Sequence, residues 1–191
     1  MPLTLITKPT MLPVSVEELK SHSYITTNAD DIYIMQLIKA ATVWVEGYTK
    51  RALLTQTWDW RMDGGFPCTP FNVPKPPLQS VGYIKYYDTD GTLQTLSSSI
   101  YSVDSYSEPG RIDLAYGQSW PSVRDVINNV LIRFTCGYGD VTAVEKTVIH
   151  ALKILVAHLY ECREPIIAGA PIANVPYSIE ALLWPERVDI I

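Results

Sequence analysis

The sequence predicts an α+β protein: a small helical bundle of three main helices and a short C-terminal helix, with an inserted antiparallel β domain between helices two and three. Apolar residues recur at helical spacing towards both ends of the chain,. Between these regions lie about six short segments separated by proline and glycine, a pattern typical of an antiparallel sandwich or barrel. We therefore expect residues 1–54 and 140–191 to form the helical core and residues 55–139 to form the β domain.

Two helices are predicted before the β domain. Ser15 and Glu18 form a capping-box pattern, in which each side chain can bond a backbone N–H at the start of a helix,. The second helix should run over residues 29–50, with Asn28 as its N-cap. Its buried face is predicted to be an apolar stripe made of Ile34, Leu37, Ile38, Ala41, Val45 and Tyr48,.

The middle of the chain reads as a series of short strands. Residues 57–63 alternate between polar and apolar side chains, the period-two mark of a half-buried strand,. The proline-rich residues 67–77 cannot form a helix or a central strand. Residues 81–87 read as a strand that turns back through a hairpin at Asp88–Gly91. Further strands are expected at 92–96, 101–103, 111–114 and 130–135.

The third helix carries the strongest periodic signal. Thr142 and Glu145 form a second capping-box pattern, and the helix should end before Pro165,. Because apolar residues cover more than half of its circumference, we expect burial on several sides, by its own fold or by a neighbouring subunit. The amphipathic segment 177–184 that follows is too short to be stable alone. The polar stripe left on the third helix consists of Lys146, His150, Lys153 and Glu161.

Composition excludes several classes of protein. A net charge of −5 argues against binding DNA by neutralising phosphates, although DNA could slide past such a surface,. Three cysteines without a close pair argue against a disulfide framework and fit folding in a reducing cytoplasm,. The N-terminus lacks the pattern of a signal peptide, and no apolar run approaches the roughly 20 residues of a membrane span.

Candidate chemical motifs are all better explained as structure. His158 and Cys162 share a helix face, but a structural zinc site needs four ligands and no such spacing is present,. The segment Asp88–Gly91 resembles the start of a calcium loop, yet Ser99 stands where the twelfth-position Glu belongs,. Gly137-Tyr-Gly139 is a lone pair of glycines, so we interpret it as a sharp turn. We therefore expect no catalytic residues, no metal site and no cofactor.

An ordered set of segments resembles the phage head–tail connector family, and the likeness covers nearly the whole chain. Three features of this chain are similar to that family. They are the opening Leu-Pro pair with its short helix, the long second helix that leads into a strand, and the closing segment. The specificity of the likeness lies in the ordered set of segments. The matching segments are 12–20, 38–58, 74–81, 110–112, 119–121, 134–139, 157–164 and 179–188.

This resemblance implies a structural, non-enzymatic adaptor in the neck of a virion, assembled in the cytoplasm of a bacterial host. The expected partners are the portal protein, a stopper or tail-completion protein, and other copies of the chain in a ring of about twelve. Double-stranded DNA would pass through without sequence-specific binding, and no membrane is involved. Lys146, Lys153 and Arg163 are candidates for lining the DNA channel. The candidate portal contacts are Tyr177, Ile179, Leu182, Leu183, Trp184, Val188, Ile190 and Ile191.

An alternative from a different class is a β-domain binding module, such as a tail-associated glycan or receptor binder. In that case Trp58, Trp60 and Trp120 would be stacking platforms,. Exposure of these side chains discriminates between the two hypotheses, because a stacking platform must be accessible to its ligand.

Overall fold

The computed structural model describes residues 2–162 and 177–188, and it has the α+β architecture that the sequence predicts. The helices are α1 (Val16–Ser23), α2 (Asp31–Thr49), α3 (Lys146–Glu161) and α4 (Tyr177–Leu183). Short 3-10 turns precede α3 at Val141–Ala143 and follow α4 at Trp184–Glu186. The strands are β1 (Leu3–Thr7), β2 (Gln56–Met62), β3 (Phe71–Asn72), β4 (Leu78–Tyr87), β5 (Leu93–Thr95), β6 (Tyr101–Asp104), β7 (Arg111–Leu114) and β8 (Val130–Cys136).

The strands form two antiparallel sheets. The larger sheet has five strands in the order β1-β2-β8-β4-β5, and the smaller has three in the order β3-β7-β6. Strand β8 is central because it pairs with β2 on one side and β4 on the other. Its near-continuous alternation of buried and half-buried residues is the pattern expected of a strand with one face in a core,.

Strand β1 is an element that sequence reasoning missed. It pairs antiparallel with β2, placing Leu3 opposite Trp60 and Leu5 opposite Trp58. Residues 3–7 therefore belong to the large sheet and not to the helical core, which the sequence predicts for the whole of 1–54. Five residues are too few to show a secure period-two pattern. Their partner strand begins about fifty residues later, so no local hairpin signal precedes it.

Helix α1 begins as predicted, and α2 does not. The Ser15 hydroxyl accepts a hydrogen bond from the Glu18 backbone N–H at 3.1 Å, which confirms the N-cap of α1. The predicted Asn28 cap of α2 is wrong, because the Asn28 side chain accepts from Lys20 Nζ at 2.5 Å. Helix α2 begins later, at Asp31, and has no side-chain cap. Lys20 also pairs with the Asp31 carboxylate, and it thereby ties α1 to the start of α2.

The predicted capping box of α3 is also wrong. Thr142 lies inside the 3-10 turn, whose first residues are capped by the Asp140 carboxylate. Val144 is extended and buried, and it packs into the helical core, so the chain cannot be helical there. Glu145 then takes the N-cap position of α3 without making a side-chain cap.

Two hydrophobic clusters lie at the centre of the molecule. One is built from the four helices and includes the predicted α2 residues Ile34, Ile38, Ala41 and Val45, with Leu37 and Tyr48 packed at its edge. The other lies between the two sheets and contains residues such as Met62, Ile84, Ile112, Ile132 and Phe134.

Candidate partner-binding surfaces

A buried arginine joins three distant parts of the chain. Arg51 follows α2 and is only 8% exposed. Its Nη1 donates to the Glu108 carboxylate at 2.5 Å, and its Nε donates to the backbone carbonyl of Glu186 at 2.6 Å. The helical region, the β6–β7 turn and the C-terminal segment therefore meet at one guanidinium group, whose planar set of donors suits such a junction.

A second polar junction lies at the base of the helical region. The Glu46 carboxylate accepts from the backbone N–H of Leu53 at 2.9 Å and from the Gln56 side-chain amide at 2.8 Å. Burial raises the pKa of Glu46, while these hydrogen bonds and the positive charge of Lys75 act in the opposite direction,. This carboxylate fixes the path of the chain from α2 into β2.

The C-terminal segment packs onto the helical core of its own chain. Ile179 and Leu183 are fully buried, and Val188 is 8% exposed. The Val188 backbone N–H also donates to the Thr49 carbonyl at 3.0 Å. The sequence predicts that these three apolar side chains contact the portal, because a short segment is unstable alone. The structure instead gives α4 its apolar groove within the same chain, between α2 and α3.

Among the predicted portal contacts whose side chains the structure describes, Trp184 is the exposed one, with 66% of its surface accessible. Together with Tyr48, Glu180 and Ala181 it lines an open cavity of about 500 Å³. Leu182 is half-buried, and the backbone of Tyr177 begins α4. Ile190 and Ile191 lie outside the described residues. Within the described residues, the accessible part of the predicted surface is therefore an aromatic edge around Trp184.

Sequence reasoning missed the contribution of α2 to this aromatic edge. Tyr48 was placed in the buried stripe, but its ring stacks on Trp44 at 5.4 Å between ring centres and also borders the cavity. The paired aromatics at positions 44 and 48 are one helical turn apart, which is the signal that could have indicated a shared face.

The residues predicted to line the DNA channel differ in their exposure and in their ion pairs. Lys146 is exposed on the first turn of α3. Lys153 pairs with the Glu18 carboxylate at 2.6 Å, and its side chain is 17% exposed. Arg163 lies outside the described residues. The polar stripe on α3 therefore carries less uncompensated positive charge than the sequence indicated.

The tryptophans needed by the alternative binding-module hypothesis are not open platforms. Trp60 is 8% exposed and contacts Phe71 inside the β cluster. Trp120 stacks on Phe66 with ring centres 4.5 Å apart, and Trp58 is half-buried beneath Lys75. Each of these rings has another side chain of the same protein packed against it, and this arrangement does not favour glycan stacking.

The residues of the candidate chemical motifs make the following contacts. His158 and Cys162 do share a face, with Nδ1 and Sγ 4.0 Å apart. Within residues 2–162 and 177–188, no three His, Cys, Asp or Glu side chains are grouped for metal binding. Asp88 closes the β4–β5 turn by accepting from the backbone N–H groups of Asp90 and Thr92. Hydrogen bonds from Gln94 and from this turn lower the pKa of the Asp88 carboxyl.

The two glycines before α3 occupy a turn. Gly137 has φ of +111° and Gly139 has φ of +95°. A Cβ at Gly137 would lie 2.2 Å from the Leu54 carbonyl oxygen, so the strand-to-helix connection needs glycine there,.

Among the described residues, no helix is both long and apolar enough to cross a membrane.

Comparison with solved structures shows where the same fold occurs. The chain is 22% identical to a chain of the "Neck of empty GTA particle computed with C6 symmetry", with a TM-score of 0.81. It is 21% identical to a chain of the "Virion of native gene transfer agent (GTA) particle", with a TM-score of 0.82. It is 23% identical to a chain of the "Neck of native GTA particle computed with C12 symmetry", with a TM-score of 0.79. Each match covers 100% of this chain and 97% of the other.

A search of curated proteins found no match. The family model described as "Phage gp6-like head-tail connector protein" matches residues 13–108, just over half of the chain. The matched part runs from the start of α1 to the β6–β7 turn, so it includes the long α2 and most of the β region. The chain therefore belongs to the phage gp6-like head-tail connector family, whose members are structural proteins of the virion at the junction of head and tail.

Proposed function

We propose that the protein is a head–tail adaptor that assembles as a ring of about twelve copies beneath the portal. Family membership is the observation that carries this proposal. A matching fold in a neck particle with C12 symmetry supports the copy number. The ring extends the DNA channel and provides the docking site for the stopper or tail component. Its role is mechanical, without catalysis or a cofactor.

The two hydrophobic clusters support separate roles for the helical part and the β part of each subunit. We assign ring formation to the helical core, residues 1–54 and 140–191, and a tail-facing contact to the β insertion, residues 55–139. Strand β1 packs with the sheet and so adds a second connection between the two parts. Together with the Arg51 and Glu46 junctions, it holds the β insertion in one orientation relative to the helices.

Portal binding is assigned to the C-terminal segment. Trp184 is the anchor, because large exposed aromatic side chains contribute much of the energy of protein interfaces,. Leu182, Tyr177, Ile190 and Ile191 extend the contact. Ile179, Leu183 and Val188 hold the segment on its own helical core and act on the portal only through that positioning.

DNA passes through the ring without sequence-specific binding. Lys146, Lys153 and Arg163 remain candidates for the channel wall. Of the two lysines, Lys146 is the more exposed.

Mixing purified protein with its portal and separating the products by sedimentation tests the assignment as an adaptor. The adaptor should co-sediment with the portal at several copies per complex, and failure to do so at any concentration ratio would contradict the proposal.

A further inference from the structure

The large sheet has one face in the β core and a second face that points away from it. Along β8, Val130, Ile132, Phe134 and Cys136 are buried, while the residues between them are half-buried. Because side chains alternate along a strand, the intervening residues 131, 133 and 135 all lie on the outer face. The residues paired with them on β2 and β4 share that face.

Strand register places two positive charges in one row of this outer face. Leu131 of β8 is paired with Arg61 on one side and Lys85 on the other. Strands lie about 4.8 Å apart, so these two residues are separated by roughly 10 Å across the sheet. Among the described residues, neither Arg61 nor Lys85 forms an ion pair.

In the adjacent row, the positive and negative charges are balanced. Arg133 is paired with Asp59 by two hydrogen bonds of 2.7 Å each, and Asp59 is 5% exposed. The Tyr83 ring lies beneath both Arg133 at 4.9 Å and Lys85 at 4.6 Å. These cation–π contacts hold the cationic groups over the sheet and limit their motion.

Hydroxyl groups occupy the next row. Thr57 and Thr135 are paired across β2 and β8, with their hydroxyl oxygens 3.4 Å apart, and Ser80 is the partner of Thr135 on β4. The Asp63 carboxylate, which directly follows β2, accepts from the backbone N–H of Asn128. This face therefore carries two uncompensated positive charges on a chain whose net charge is −5.

We infer that the outer face of the large sheet contacts the phosphate backbone of double-stranded DNA as it passes through the neck. The inference rests on the proposed ring function. Arg and Lys together with Ser, Thr and Tyr hydroxyls are the side chains that bind DNA phosphates and sugars. Only two uncompensated cations per subunit keep the contact weak, which suits DNA that must move. The acidic remainder of the chain repels the same polymer.

DNA fits this face better than an acidic protein does. The core of a protein interface is enriched in apolar and aromatic side chains and depleted of charge. Around Arg61 and Lys85, the outer face offers half-buried Leu131 and Tyr83, and the latter is already covered by cations. The charges and hydroxyls of this face match a polyanion more closely than they match a complementary protein core.

The test is a titration of the full chain, isotopically labelled, with a short DNA duplex, followed by NMR. At about 20 mM salt, amide shifts should change around Arg61, Lys85 and Thr135. Neutralising two phosphates predicts that a rise to about 200 mM salt weakens binding by about sixtyfold. The R61E/K85E variant should lose the response. The K39E/K50E variant, with the same change in charge at exposed sites on and after α2, should keep it.

Three results would overturn the inference: no response at low salt, an equal loss in both variants, or shifts centred elsewhere. A polyglutamate peptide of matched charge serves as the probe for an acidic protein. If it perturbs the outer face as strongly as DNA does, the face is a protein-docking surface and the DNA assignment is wrong. Co-sedimentation with the portal reports separately on the proposed function, and R61E/K85E should co-sediment as the unsubstituted protein does.

Discussion

Arg51 and Glu108 form an ion pair of 2.5 Å that connects the end of α2 to the β6–β7 turn, 57 residues away in sequence. The Arg51 side chain is 10% exposed, whereas that of Glu108 is 39% exposed. The same guanidinium also binds the Glu186 carbonyl. The two partners are therefore unequal, because loss of the arginine breaks two connections and loss of the glutamate breaks one.

This inequality predicts different costs for R51A and E108A. R51A should lower the free energy of unfolding by about 2 kcal/mol, since it removes buried hydrogen bonds and leaves the Glu186 carbonyl without this donor. E108A should cost about 1 kcal/mol or less, because Glu108 is well solvated. Urea denaturation of both variants checks the order, and equal losses would show that the carbonyl contact contributes nothing.

Glu46 should make stability depend on pH in a way opposite to that of a typical carboxylate. Its pKa is raised above 4.5 in the folded state, mainly by burial, so the folded protein holds the proton more tightly than the unfolded chain. Stability linked to this group is therefore gained as pH falls from the folded pKa towards 4.5 and is lost as pH rises through that window.

The E46Q substitution isolates this effect. Its side-chain oxygen can still accept from Leu53 and Gln56, so stability at neutral pH should change little, by less than about 1 kcal/mol,. The stability difference between the unsubstituted protein and E46Q should shift in favour of the unsubstituted protein as pH falls towards 4.5. E46A, which removes the acceptor, should cost about 2 kcal/mol at neutral pH. A pH-independent difference for E46Q would show that Glu46 does not titrate abnormally.

Gly137 and Gly139 provide a matched pair of glycine substitutions. Both have positive φ, but only at Gly137 would a Cβ collide with backbone, at 2.2 Å from the Leu54 oxygen. We expect G137A to cost about 3 kcal/mol or more and G139A about 1 kcal/mol, where the nearest atom is 3.9 Å away,. Thermal or urea unfolding measures both, and a G139A loss as large as that of G137A would contradict the steric explanation.

Adjacent residues at the end of α4 should separate folding from portal binding. L183A removes a fully buried side chain and should lower stability by about 3 kcal/mol,. W184A alters a 66% exposed side chain and should change stability by no more than about 0.5 kcal/mol,. On the proposed function, W184A should still weaken portal binding by about 2 kcal/mol, roughly thirtyfold. Unchanged portal affinity for W184A would remove Trp184 from the interface.

The periodic elements of this fold could be predicted from sequence because their signals are local. The apolar stripe of α2, the Ser15 cap and the Asp88–Gly91 turn all involve residues within one or two turns of each other. The starts of α2 and α3 could not be predicted in the same way. There, the side chain of Asn28 binds Lys20 of another helix, and Val144 is drawn into the core.

The surfaces that we propose for binding were harder to predict than the helices, because their residues come together from distant parts of the sequence. Nothing near position 51 indicates a partner at 108 or 186, and nothing near 61 indicates that Lys85 lies two strands away on the same face. From the sequence pattern alone, an apolar residue in α4 is equally compatible with a portal interface and with the helical core. The packing of Ile179 and Leu183 against α2 and α3 shows that these two side chains are part of the helical core.

The most direct test of the account is electron cryomicroscopy of the protein mixed with its portal. The account predicts a closed ring of about twelve copies on the tail side of the portal. Trp184 should lie in the contact with the portal, and the Arg51–Glu108 ion pair should remain intact in each subunit. A portal with no added density, or with isolated copies that do not touch one another, would contradict the assignment as a ring-forming head–tail adaptor.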